Sequence, residues 1–257
     1  MPAGSSAFLL ARLVVLEARR GGLPWLAATA IVASVSLAAF LSQVALAESV
    51  ALQAAVMAAL LRACAVFLVA AQVTASTLRE MQDKGLELML SLPLSRATQY
   101  LGRLAGFVAC GAALAALFAL PLLAWASAQA VALWGVSLAF EAALVAAAAL
   151  FFAMTLGQFV PAFTATAGLY LLARSIGAIQ AIAGGPLAEP SLASRFAQYA
   201  VDGVALLLPR LDAMTRTAWL LYEPPSAATY AAALASALLY GLLLAAAGLF
   251  DFYRKSL

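Results

Sequence analysis

Three ionisable side chains, Arg62, Glu141 and Arg174, stand inside long apolar runs, and one densely patterned polar stretch, TLREMQDKGLELMLSLPLSRATQYLGR over residues 77–103, separates two such runs. A charge near the centre of a bilayer costs about 2.5–3.5 kcal/mol, while each neighbouring Leu or Val returns only about 0.3–0.6. These three side chains are therefore expected to face protein or water rather than lipid. Other chemistry has little to draw on. The chain has no histidine, and its two cysteines, Cys64 and Cys110, lie in separate apolar runs. Disulfide, zinc and Ser-His or Cys-His chemistry are disfavoured on those grounds. Met57, Met81, Met89 and Met154 are too dispersed for a soft-metal path. No span holds paired carboxylates, so no catalytic residue and no metal ligand is assigned. The only lysines, Lys84 and Lys255, do not end a G-x-x-x-x-G-K-[ST] motif, and no phosphate-cradling loop is present.

The elements that must carry these residues follow from composition. Soluble domains are about half apolar and about a quarter charged. This chain is 66% hydrophobic and 10% charged, with mean hydropathy +1.03. A bilayer offers backbone groups no hydrogen-bond partners, and the apolar runs lack the period-two alternation of a barrel strand, so helices are required. The sequence predicts an all-α integral membrane protein, one domain over 1–257, with six transmembrane helices near 23–47, 52–78, 104–131, 133–157, 160–183 and 226–250. Residues 5–20 are apolar but broken by Arg12, Glu17, Arg19 and Arg20, which predicts an amphipathic elbow helix along the interface. Ala45-Leu46-Ala47 resembles a signal-peptide cleavage site, but the preceding run exceeds an h-region of about 7–15 residues, and a membrane anchor is the preferred reading.

Orientation comes from the basic residues. Arg12, Arg19, Arg20, Arg79, Lys84, Arg96, Arg103, Arg254 and Lys255 fall on one side of this layout, against Arg195, Arg210 and Arg216 on the other. Both termini and the 79–103 connection are predicted cytoplasmic in a multi-pass inner-membrane protein. Basic residues scattered at span ends mark membrane edges, not a nucleic-acid patch. The long connection 184–225 opens with Gly184-Gly185-Pro186 and ends with Pro224-Pro225. Within it Phe196, Tyr199, Ala200, Val204, Leu207 and Leu208 follow helical spacing, with Arg195 and Asp202 off the stripe. An amphipathic helix on the outer membrane face and an ordinary packed loop both fit.

Between spans two and three, Glu80, Asp83, Lys84 and Glu87 share one helical face, opposite Met81, Leu88, Met89 and Leu92. Pro93 ends this amphipathic helix, and Ser95 is placed to cap the next. A lipid-binding face would favour Lys and Arg; this one is mostly acidic, which points to a protein partner. Glu141 and Arg174 lie about eight and nine residues from the outer ends of consecutive spans, roughly 12–14 Å deep, so a Glu141–Arg174 pair is expected. Arg62 is expected at a dimer interface or polar cavity. Gly102-x-x-x-Gly106 opens span three, but small-residue spacings arise freely in so Ala-rich a chain, and no role is assigned to it.

The stretch Glu80-x-x-Asp83-Lys84-Gly85-Leu86-Glu87-Leu88-Met89-Leu90-Ser91-Leu92-Pro93-Leu94-Ser95-Arg96, followed by Gly102-Arg103, resembles the cytoplasmic loop of export-type (type-2) ABC transporter permeases, with Leu86 where that family usually has Thr. The layout of elbow, six spans, long outer loop before span six and basic C-terminal end (Phe252-Tyr253-Arg254-Lys255) is similar too. Leu208-Pro209-Arg210-Leu211-Asp212 and Trp219-Leu220-Leu221-Tyr222 resemble the outer loop of permeases grouped with multicopper-enzyme and nitrous-oxide-reductase maturation. The resemblance implies that 79–96 is a coupling helix docking on an ATPase through Glu80, Asp83, Lys84, Glu87, Pro93 and Arg96. It also implies two ABC ATPase subunits holding ATP and Mg, no cofactor on this chain, and a second permease copy, most simply a homodimer, set in membrane lipid. The alternative class is an ATPase-independent secondary transporter. That class predicts inverted repeats with helices broken at corresponding places, and Gly157 to Pro161 has no counterpart after span one.

Overall fold

The computed structural model describes residues 3–44, 49–83, 95–184, 192–222 and 225–254. Among them every regular element is helical: α1 (Ala3–Arg20), α2 (Leu23–Val44), α3 (Ser49–Gln82), α4 (Arg96–Ala119), α5 (Ala128–Leu156), α6 (Phe159–Ala183), α7 (Leu192–Leu207), the short α8 (Ala218–Leu221) and α9 (Ala227–Arg254). Two 3-10 turns, Leu120–Ala124 and Leu211–Ala213, complete the set. Six helices, α2, α3, α4, α5, α6 and α9, are long and apolar enough to cross a membrane. The architecture is that of a multi-pass membrane protein.

α5 sits at the centre and packs against α3, α4, α6 and α9. The reason lies in its sequence: apolar residues lie on every side of it, and its consecutive Ala146, Ala147, Ala148 and Ala149 are all buried. A helix without a polar face belongs inside a bundle, and small side chains let neighbouring backbones approach. Ser127 caps it, its hydroxyl oxygen accepting from the Ala130 N–H at 3.3 Å. Gly157, in the left-handed region at φ 68°, closes its far end. α4 likewise begins at Ser95, whose Oγ accepts from the Thr98 N–H at 3.2 Å. Pro121 then turns the last residues of this span into a 3-10 segment, so α5 starts at Ala128, earlier than hydropathy alone places it.

α3 is 34 residues long, about 50 Å at 1.5 Å per residue, and outruns a hydrocarbon core of about 30 Å. It continues to Gln82, beyond the boundary set by charge, which carries Arg79 and Glu80 on the last turns of the span helix itself. α1 buries Leu10, Val14 and Ala18 against α4 and leaves Phe8, Leu9 and Leu13 exposed. The contact is made by Gly102 and Gly106. A Cβ at Gly106 would stand 2.7 Å from Val14 Cβ and 2.9 Å from the Ala11 carbonyl oxygen. The motif discounted as chance spacing is therefore the seam on which α1 lies.

Candidate functional site: a buried charge cluster closed by a strap

α7 forms within the long connection before α9. It rests on α6, with Gln180 donating to Asp202 at 2.9 Å, while Phe196, Tyr199, Leu206 and Leu207 stay exposed. After α7 the chain does not stay on the surface. Residues 208–222 turn back as a strap that buries Leu208, Leu211, Met214, Thr215, Trp219 and Leu220. Gly177 on α6 makes room for it: a Cβ there would collide with the Asp212 carboxylate. Tyr230 on α9 braces the strap's end, stacking edge-on with Trp219 at 5.6 Å and donating to the Leu133 carbonyl at 2.8 Å.

Under the strap, α3, α5 and α6 bring together Arg62, Glu141 and Arg174. Glu141 is completely buried. Its carboxylate accepts from the Tyr170 hydroxyl at 2.8 Å and the Thr215 hydroxyl at 2.6 Å, and Arg174 Nη1 lies 3.8 Å away. Arg174 is occupied chiefly with the strap backbone, Nη1 donating to the Leu211 and Met214 carbonyls at 2.6 and 2.7 Å and Nη2 to the Thr215 carbonyl at 3.5 Å. Arg62 Nη1 donates to the same Thr215 carbonyl at 3.1 Å. The Arg62 Nε is buried and has no hydrogen-bond partner among the described residues. Thr215 is held on its other side by Ser137, whose Oγ accepts from the Thr215 N–H at 2.9 Å.

Thr215 adopts φ 47°, a left-handed conformation that a β-branched residue resists. Such a backbone costs on the order of 1–3 kcal/mol and persists only where surrounding contacts over-determine it. Here those contacts are Ser137, Glu141 and the two arginines. The strap is a strained segment pinned by charge.

The opposite end of the bundle is organised differently. Glu80 at the end of α3 forms an ion pair with Arg103 on α4, whose side chain is only 6% exposed. Glu17 on α1 accepts from Ser76 at 2.8 Å and from Arg79 at 3.3 Å. Arg96, at the start of α4, donates to the last carbonyls of α9, Phe252 at 3.2 Å and Tyr253 at 3.3 Å. A cation there complements the negative end of the α9 dipole.

Of the sequence-derived site residues, the fold brings Arg62, Glu141 and Arg174 into one cluster. Arg62 reaches the strap of its own chain, where a dimer interface or polar cavity was expected. At the other end Asp83 is exposed, but Glu80 turns inward to Arg103 and Arg96 to α9, because each meets a buried charge or a helix end needing compensation. Lys84, Glu87 and Pro93 lie outside the described residues. Tyr170 and Ser137 were missed although helical spacing marks them, each four residues before Arg174 or Glu141 on the same face. Nothing local marks Thr215. Among the described residues no three His, Cys, Asp or Glu side chains converge as metal ligands.

The sequence matches no known family model, and no curated protein matches it either.

Proposed function

We propose that the chain is the membrane-spanning permease subunit of an ATP-driven exporter, coupling ATP hydrolysis on separate ABC ATPase subunits to substrate translocation or conformational work across the membrane. The observation that carries this reading is the bracing of the connection between α3 and α4. Glu80 and Arg103 tie its flanking helices together, and Arg96 ties its downstream end to α9. A force applied to residues 84–94 is thereby delivered to three spans at once, as a lever requires. The excess of Lys and Arg supports a cytoplasmic location for this end, where an ATPase would dock on Asp83, Lys84, Glu87 and Pro93. α1 serves as the elbow, its Glu17 joined to the same end of α3. A second copy of the permease completes the transmembrane part.

Affinity purification of the tagged protein from its host in mild detergent tests the reading. An ATPase should co-purify with the wild-type chain and be lost from Asp83→Lys, Glu87→Lys, a variant that leaves the Glu80–Arg103 pair intact. Recovery of the protein alone in both cases would remove the ATP-driven reading and leave an ATPase-independent transporter.

A further inference from the structure

Two guanidinium groups converge on one neutral oxygen. Arg62 and Arg174 both donate to the Thr215 carbonyl, while Glu141, the carboxylate that the spans themselves supply, is engaged by two hydroxyls and stands 3.8 Å from Arg174. A carbonyl carries only a partial charge, and in surroundings this apolar two neighbouring cations call for a full anion. The spare, buried Arg62 Nε–H is a further donor left without an acceptor. The strap carries its own partial compensation, because Asp212 comes in with it and packs on Gly177 of the helix that holds Arg174. Without the strap, its three carbonyls and Asp212 would be lost together. Arg62, Arg174 and Glu141 remain, a site with one net positive charge, lined by Tyr170 and Ser137, at the depth of the spans.

We propose that this cluster is a binding site for an anionic group, a phosphate or carboxylate, for which the strap's carbonyls are the stand-in in the closed state. Guanidinium groups match such oxyanions geometrically, and a full charge replaces the partial charges that now occupy their donors. The surrounding apolar span residues favour a ligand that carries this group on an alkyl chain. As a statement about cargo, the assignment rests on the permease reading. The binding itself needs no ATPase, so the two can fail separately.

The test uses the full chain purified in a neutral maltoside detergent and follows thermal stabilisation and binding with three probes: dodecyl phosphate, dodecanol and inorganic phosphate. Dodecyl phosphate should bind more tightly than dodecanol. Arg62→Gln should weaken it about tenfold or more, the effect of losing one charge-assisted contact, with dodecanol binding unchanged. Asp212→Asn should act in the opposite direction, strengthening dodecyl phosphate by loosening the strap's hold on Arg174. That variant and Arg62→Lys decide the matter if Arg62→Gln does not fold. Stabilisation by inorganic phosphate as well would support the site with a free anion as its source; stabilisation by dodecyl phosphate alone would support an amphiphile. Equal binding of dodecyl phosphate and dodecanol, or an Asp212→Asn variant that binds the phosphate more weakly, would overturn the proposal.

Discussion

The two ends of the bundle handle charge in opposite ways. At the end bearing Glu80 and Arg103, Arg79, Arg96 and Arg103 each meet a carboxylate or a helix terminus supplied by another element of the bundle, and part of the network is open, with Arg79 56% and Glu17 36% exposed. At the strap end a fully buried Glu141 and two arginines are completed by backbone carbonyls and a hydroxyl that arrive from a connection far along the chain. The first arrangement ties helices to one another. The second depends on a segment from far along the chain, and it holds that segment in a strained conformation.

The strap end is most vulnerable at Arg174. Replacing it with Gln removes the donors of three strap carbonyls and leaves Glu141 without its nearby cation, so stability in detergent should fall by about 3–5 kcal/mol. Accessibility of a cysteine placed in the strap should rise in parallel, read by thiol labelling alongside thermal unfolding. A further Glu141→Gln change removes the carboxylate that Arg174→Gln leaves uncompensated: the two groups stand 3.8 Å apart and share Thr215, so the double variant should cost less than the sum of the singles, by about 0.5–3 kcal/mol. At the other end, Glu80→Gln leaves the nearly buried Arg103 without its counter-charge and should cost about 1–3 kcal/mol. That loss should come with no change in strap labelling, and a matching rise in labelling would erase the distinction between the two ends. The smallest effect belongs to Arg79→Gln. Its pair with Glu17 is half exposed and screened, so a change of under about 1 kcal/mol, shrinking further in high salt, should appear in the same unfolding assay.

Much of this architecture is legible in residue types alone. Six apolar runs can satisfy their backbones in a bilayer only as helices. Ser95 after Pro93 marks a helix start, and two opposite charges at similar depth on consecutive spans predict their own proximity. What could not be read depends on partners that no local pattern names. Gly102 and Gly106 are ordinary small residues until α1 lies across them. Glu80 shares a helical face with Asp83 by spacing, yet α3 continues as a helix through this point and a buried Arg103 claims its carboxylate.

Composition and charge placement are enough to show that this protein lives in a membrane, how many times it can cross, and that three intramembrane charges need partners. Burial energy and backbone satisfaction act on each segment separately, so composition is enough to settle them. Only the tertiary structure decided who those partners are. Arg62 and Arg174 are met by carbonyls of Leu211, Met214 and Thr215, and a carbonyl is the same group in every residue. Its role is written in where the backbone goes, and that becomes known only when the strap has folded into the bundle.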